Sequence, residues 1–276
     1  MQRKTWKYYN HAMIPTTPPH MRADEEVLND KSFWKKYKKV LFVRWTTDFD
    51  CKEKTNWWYV IKDSAFDISS IKSKRRYEIN KGIRYFDVVK VNPKDFKREL
   101  YEITCEAYQS WSERDRPKIS YEEYIKSIND WDDKIVYGAF HKEEKKICGY
   151  ALLTMEKEYL DFNVLRVIPA YEKCAINAAI VNKIVLDNND FMTNGGYICD
   201  GSRSINHETA FQEYLEKYFG FRKAYCRLHI EYNPMIKWFV KMVYPIRGLL
   251  KRMDDISVVH KINSVLKMEE ICRGGE

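Results

Sequence analysis

Residues 163–185, NVLRVIPAYEKCAINAAIVNKIV, decide the fold. A strand-like run ends at Val167, a proline follows at 169, and a short polar turn leads into an Ala/Ile/Val-rich helical segment. The first amides of such a helix are unsatisfied within it, which makes the junction a natural place to hold an anion. Two readings of these residues stand side by side: a ligand-bearing loop, and a crossover of no ligand consequence.

Working outward, KIVYGAFH and KICGYALLTM flank the charged turn KEEKK as a hairpin, and LDFNVLRVI makes a third neighbouring strand. They are preceded by the strand FDVVKV, a helix from about Asn92 and Pro93, the polar loop SERDRPKIS, and a helix YEEYIKSIND with Ser120 as its cap. After the junction helix, about Tyr171 to Leu186, come a strand GYICDG, a helix from about Asn206 to Tyr218, and a long strand RKAYCRLHIEY. The order is β-α-α-β-β-β-α-β-α-β.

Upstream, Val40 to Thr46 and NWWYVIKD read as two strands joined as a hairpin by a long connection. DISSIKSKRRYEINKGIRY reads as a helix with an Asp/Ser start and Gly82 near its end, cap signals at both ends. Its Lys72, Lys74, Arg75, Arg76, Lys81 and Arg84 form either a solvated face or an anion-binding surface. The tail MIKWFVKMVYPIRGLLKRM is apolar with five basic and no acidic residues. It is expected as an amphipathic helix, packed on the domain or lying at a membrane interface.

The chain has 276 residues, 45% of them hydrophobic and 15% aromatic, which supports a folded core and argues against disorder. The net charge of +8 favours anionic partners without choosing among CoA phosphates, RNA and a lipid surface. Seven cysteines lie scattered without a CxxC or Cys/His spacing, so neither a zinc site nor a disulfide framework is expected, and no metal is invoked. No window has signal-peptide or membrane-spanning character; the expected location is cytoplasmic, with peripheral contact at the inner membrane face as the tail's alternative.

The element order, the junction after the fourth strand and YFGF before the last one resemble the GCN5-related N-acetyltransferase superfamily over residues 85–232. That resemblance implies an α/β (α+β) fold, a mixed, mostly antiparallel sheet flanked by helices. It leaves residues 1–84 as an amino-terminal extension and 233–276 as a carboxyl-terminal helical tail. It implies acetyl-CoA or another acyl-CoA as donor, its pyrophosphate on the turn after V-x-P. Here V-x-P is Val167-Ile168-Pro169, and the cradle becomes Arg166, Val167, Glu172, Lys173, Cys174, Ala175, Ile176 and Asn177. Ala175 and Asn177 stand where that family places glycines, and Glu172 adds a negative charge. The basic helix also resembles, at Arg76, Ile79 and Lys81, a segment of the Fem-type aminoacyltransferases, which are built from related units, take an aminoacyl group from tRNA and lack the CoA loop.

Acyl transfer needs a base for the acceptor, a strand amide to polarise the carbonyl, and an acid for the leaving group. Simple alternation puts Asp161 and Asn163 on one face with Leu165 and Val167, making Asp161 the first candidate base and Asn163 a substrate contact. The loop CDGSRSINHETAF carries Asp200, Ser202, Arg203 and His207 at a strand's carboxyl end, where open α/β sheets bind ligands. Asp200 and His207 are candidate catalytic groups, and Ser202 and Arg203 candidate substrate contacts. The acetyltransferase resemblance implies a tyrosine acid on the next helix, carried over to Tyr214. Trp111, Arg114 and Arg116 are the candidate acceptor contacts.

Three functions remain open at this point. The first is acyl transfer from acyl-CoA to an amine or hydroxyl of a small molecule or glycan precursor. The second is a Fem-type transferase with a tRNA-borne donor, and the third a catalytically inert binding module. Strands parted into a cleft favour transfer; a cleft filled by Tyr171, Glu172 and Asn177 favours the inert module.

Overall fold

The computed structural model describes residues 5–29, 32–37, 39–111, 113, 116–205 and 210–274. Its strands are β1 (Trp6–Tyr9), β2 (Ala12–Pro15), β3 (Phe42–Thr47), β4 (Trp57–Lys62), β5 (Phe86–Val91), β6 (Lys134–His141), β7 (Ile147–Met155), β8 (Tyr159–Val167), β9 (Tyr197–Ser202) and β10 (Arg222–Tyr232). Its α-helices are α1 (Ser32–Lys36), α2 (Ser73–Tyr85), α3 (Lys97–Gln109), α4 (Tyr121–Ile128), α5 (Ile176–Asp187), α6 (Asn189–Thr193), α7 (Ala210–Phe219), α8 (Pro234–Val243), α9 (Arg247–Lys251) and α10 (Ser257–Arg273). β1–β2, β3–β10, β5–β6, β6–β7 and β7–β8 pair antiparallel, and β2–β3 and β8–β9 parallel, so the fold is the mixed, mostly antiparallel α+β class expected.

The chain divides into two compact units, the first formed by Met1–Tyr59, Ser202–Thr209 and Lys223–Glu276, the second by Val60–Gly201 and Ala210–Arg222. In the first unit β3 lies between β2 and β10, with Phe42 opposite Tyr232 and Thr47 opposite Arg227. The hairpin expected between 40–46 and 57–62 is therefore not formed; the alternating run of β10 supplies the longer complementary edge. Phe42 and Tyr232 share a core with Val240, Leu266 and Met268, and Trp57 packs with Cys226, Leu228 and Ile271.

In the second unit β5 to β9 lie in chain order. One face is covered by α3 and α4, whose Leu100, Ile103 and Ile128 meet Val136, Ile147, Tyr150 and Leu152. Inside this core the hydroxyls of Thr104, Tyr124 and Tyr150 form a closed set at 2.8–3.0 Å. The opposite face is covered by α5, which touches β5, β6, β7 and β8. Its apolar residues run all round the helix, as a helix buried on every side requires: Ile176, Ala179, Ile180, Val181, Ile184 and Val185 are all buried.

A second layer forms because α2 packs on α5, burying Ile79 and Gly82. Gly82, read as a cap signal near the end of this helix, lies three residues inside it, and its missing side chain lets the two helices approach. Asp67 was expected among the start signals of α2, but it caps a separate 3-10 turn, Ile68–Ser70, by accepting the Ser69 N–H at 2.8 Å.

Candidate functional site

Strands β8 and β9 pair only at Tyr159 with Tyr197, Leu160 with Ile198 and Asp161 with Cys199. Beyond those positions β8 runs on to Val167 and β9 to Ser202 without further register pairs. On its other edge β8 pairs Val164 with Leu152 but Phe162 with Leu153, so Asn163 is an extra residue, a β-bulge. The insertion corrects the expected face assignment, because one added residue reverses the alternation. Asp161, opposite Thr154, lies on the α3 face together with Val164 and Arg166, while Leu165 and Val167 turn to the α5 side.

Two carboxylates flank the parting strands. Asp161 accepts a hydrogen bond from Asn163 Nδ2, and Asn163 Oδ1 accepts one from Thr154 Oγ1 at 2.7 Å. Burial pushes the Asp200 carboxyl up to about 7; a hydrogen bond from Gln212 opposes the shift and the negative charge of Asp161 adds to it. Burial also raises the neighbouring Cys199 thiol, which keeps it protonated and unsuited to nucleophilic attack. Tyr214 stacks on Tyr218 at 4.7 Å, and burial followed by the nearby Glu78 carboxylate raises its phenol.

The remaining candidates separate into three groups. His207 and Arg114 lie outside the described residues. Ser202 and Arg203 belong to the first unit, where the Arg203 guanidinium lies 4.4 Å from the Trp58 ring and donates to the Asn56 carbonyl at 2.6 Å. Trp111, Arg116 and Arg166 come together at the end of α3. Arg166 donates to Tyr108 Oη at 2.9 Å and stacks over Tyr108 and Trp111, so it faces α3, away from the turn it was expected to serve. Arg116 donates to the carbonyls of Tyr108, Gln109 and Trp111 at 3.0–3.2 Å, closing the helix end.

The turn after β8 is a 3-10 helix, Pro169–Cys174, followed by Ala175 in the left-handed region at φ 62° and ψ 37°. Ala175 thus adopts a backbone conformation that favours glycine. Its N–H donates to the Glu172 carbonyl at 2.9 Å, so that amide is already used. Tyr171 Oη donates to Glu144 Oε2 at 2.6 Å, tying the turn to the β6–β7 hairpin. Ala175 and Ile176 are buried, Cys174 and Asn177 half-buried, and Glu172 and Lys173 exposed. With α2 seated on α5 at Gly82, this turn fits a pyrophosphate poorly: close approach to its backbone is obstructed and the nearest exposed side chains are one anion and one cation.

Sequence reasoning missed Gln212, which bonds Asp200, and Tyr159, which bonds Asp161. Tyr159 carried a signal, two residues before Asp161 on one strand face; Gln212 carried none. Among the described residues no group of three or more His, Cys, Asp or Glu side chains is placed to hold a metal ion. No described helix is long and apolar enough to cross a membrane.

No protein-family model matches the chain, and no curated protein matches it. Among solved structures, a conserved protein of unknown function from Bacteroides thetaiotaomicron is similar at 11% identity over 79% of this chain and 78% of that one, with a TM-score of 0.54. The C-terminal domain of a protein described as a lysylphosphatidylglycerol synthetase from Agrobacterium fabrum is similar at 12% identity over 86% and 82%, with a TM-score of 0.50. At these identities the likeness concerns the fold alone. A GCN5-related N-acetyltransferase from Brucella melitensis covers 50% of this chain at 17% identity with a TM-score of 0.36, too low to carry an argument.

Proposed function

We propose that the chain is a transferase that moves an acyl group onto an amine or hydroxyl where β8 and β9 part, and that the group is an aminoacyl ester carried by tRNA. The observation that supports transfer is the Asp200 carboxyl beside that parting, raised to about 7. A base works best when its pKa lies near the operating pH. In this reading Asp200 takes the proton of the acceptor as its nitrogen or oxygen attacks the ester carbonyl. The backbone of β8 where it parts from β9 polarises that carbonyl, and the proton passes to the departing ribose oxygen as the ester bond breaks.

The tRNA donor is supported by the turn at Ala175, which fits a CoA pyrophosphate poorly, and by α2, which covers that turn and turns Lys72, Lys74 and Arg84 to solvent. Such a surface suits a phosphodiester backbone. The similarity to a domain described as part of a lysylphosphatidylglycerol synthetase agrees with an aminoacyl group as cargo. Acyl-CoA is the second reading, favoured by the register of the strand, V-x-P turn and helix at 163–185.

The test is transfer of label from total tRNA charged with radioactive amino acids, and in parallel from labelled acetyl-CoA, to lipid, peptide and small-molecule acceptors. Label leaving tRNA in the wild type, with the rate at least about 100-fold lower in Asp200→Asn, supports the reading. Label moving only from acetyl-CoA selects the second reading, and transfer at an undiminished rate in Asp200→Asn removes the assigned base.

A further inference from the structure

The segment from α8 through α9 is apolar on two sides. One side is core: Ile236, Val240, Val243, Tyr244 and Leu250 pack with Phe42, Tyr232, Leu266 and Met268. The other side carries Met235, Trp238, Phe239, Met242, Ile246, Leu249 and Met253, at the spacing of one helical face, and all are exposed. The exposure is large where it matters: 80% for Met235, 64% for Trp238 and 59% for Leu249. Single exposed apolar residues are ordinary, but a continuous face of this kind marks an interaction surface.

From Met235 to Met253 the chain has five basic residues, Lys237, Lys241, Arg247, Lys251 and Arg252, and no acidic one. Lys241 and Arg252 are exposed and beside the apolar face. A second copy of the chain docked face to face would set these cations against their own kind. An anionic bilayer satisfies both features at once, since its headgroups attract the cations while the upper acyl region accepts Met, Leu and Phe, and indole rings favour that boundary.

We propose that α8 and α9 form an interfacial docking surface for an anionic lipid bilayer, lying in the plane of the membrane with Met235, Trp238, Met242 and Leu249 inserted. Nothing in this rests on the transfer chemistry, so either assignment stands without the other.

The full-length protein is tested by flotation with vesicles of phosphatidylcholine alone and of equal parts phosphatidylcholine and phosphatidylglycerol, across a salt series. Flotation with the anionic vesicles at low salt, weakening as salt rises, is expected, with a blue shift of tryptophan emission that Trp238→Phe removes. The double variant Met235→Glu/Met242→Glu lowers the bound fraction at least about tenfold with an unchanged melting transition, and Lys241→Glu/Arg252→Glu weakens binding to the anionic vesicles. Absence of flotation at low salt, a shift that persists in Trp238→Phe, or a concentration-dependent dimer that Met242→Glu abolishes without any vesicle binding would overturn the proposal.

Discussion

The backbone of Gly82 in α2 rests directly on the Ala175 carbonyl at the start of α5: a Cβ at position 82 would meet that oxygen closer than real Cβ contacts allow, and would stand 2.9 Å from the Ala179 nitrogen. Both obstacles are backbone atoms, which cannot swing aside. Gly82→Ala is therefore expected to destabilise the protein by ~2–4 kcal/mol, despite alanine's better helix propensity. Gly248→Ala, where nothing lies within 4 Å, is expected to stabilise by ~0.5–1 kcal/mol. Denaturant unfolding of both variants checks the contrast.

Ala175 sits at φ 62°, a conformation that costs a residue with a Cβ about 1–2 kcal/mol. Ala175→Gly should remove that cost and gain roughly 0.5–1 kcal/mol after the loss of unfolded-state restriction. Ala175→Val, β-branched at the same position, should lose at least about 2 kcal/mol. A thermal melt of each variant decides.

The raised Asp200 carboxyl makes stability depend on pH in a definite direction. Folded Asp200 titrates near 7 and its ordinary value is 3.8, so between those values the native state holds more protons than the unfolded state. Its contribution to stability is present below about pH 4 and is lost as pH rises through about 7, amounting to no more than ~4 kcal/mol. In Asp200→Asn this fall should vanish, leaving the variant relatively more stable at pH 8 than at pH 5 when each is compared with wild type. Unfolding free energies measured across that range test the sign.

Thr104, Tyr124 and Tyr150 satisfy one another's hydroxyls between α3, α4 and β7. Tyr150→Phe keeps the ring and removes one member, while Thr104 and Tyr124 keep their bond to each other and to the Leu100 carbonyl. A loss of ~0.5–1.5 kcal/mol is expected, without a change in the denaturant m-value.

Much of the second unit was legible in the sequence because its apolar periodicity is strong. The runs of β5 to β8, the two helices between β5 and β6 and the all-round apolar α5 each identify themselves. The bulge at Asn163 was not, since an inserted residue shows only in the register against β7, and no glycine marks it. Gly82 looked like a helix end because its reason for being glycine is a contact with a helix more than ninety residues away. Asp161 and Asp200 could be located from strand ends, but the raised carboxyl depends on burial and on Gln212, which chain position does not reveal.

The donor is what the account most needs tested, and equilibrium binding measures it directly. The protein is titrated with charged tRNA across a salt series and, separately, with acetyl-CoA, each repeated on Lys72→Glu/Lys74→Glu. The account predicts tRNA binding that weakens steeply with salt and fails in the α2 variant, with no acetyl-CoA binding in the micromolar range. Micromolar acetyl-CoA binding that the α2 variant leaves unchanged, with no affinity for tRNA, would contradict it.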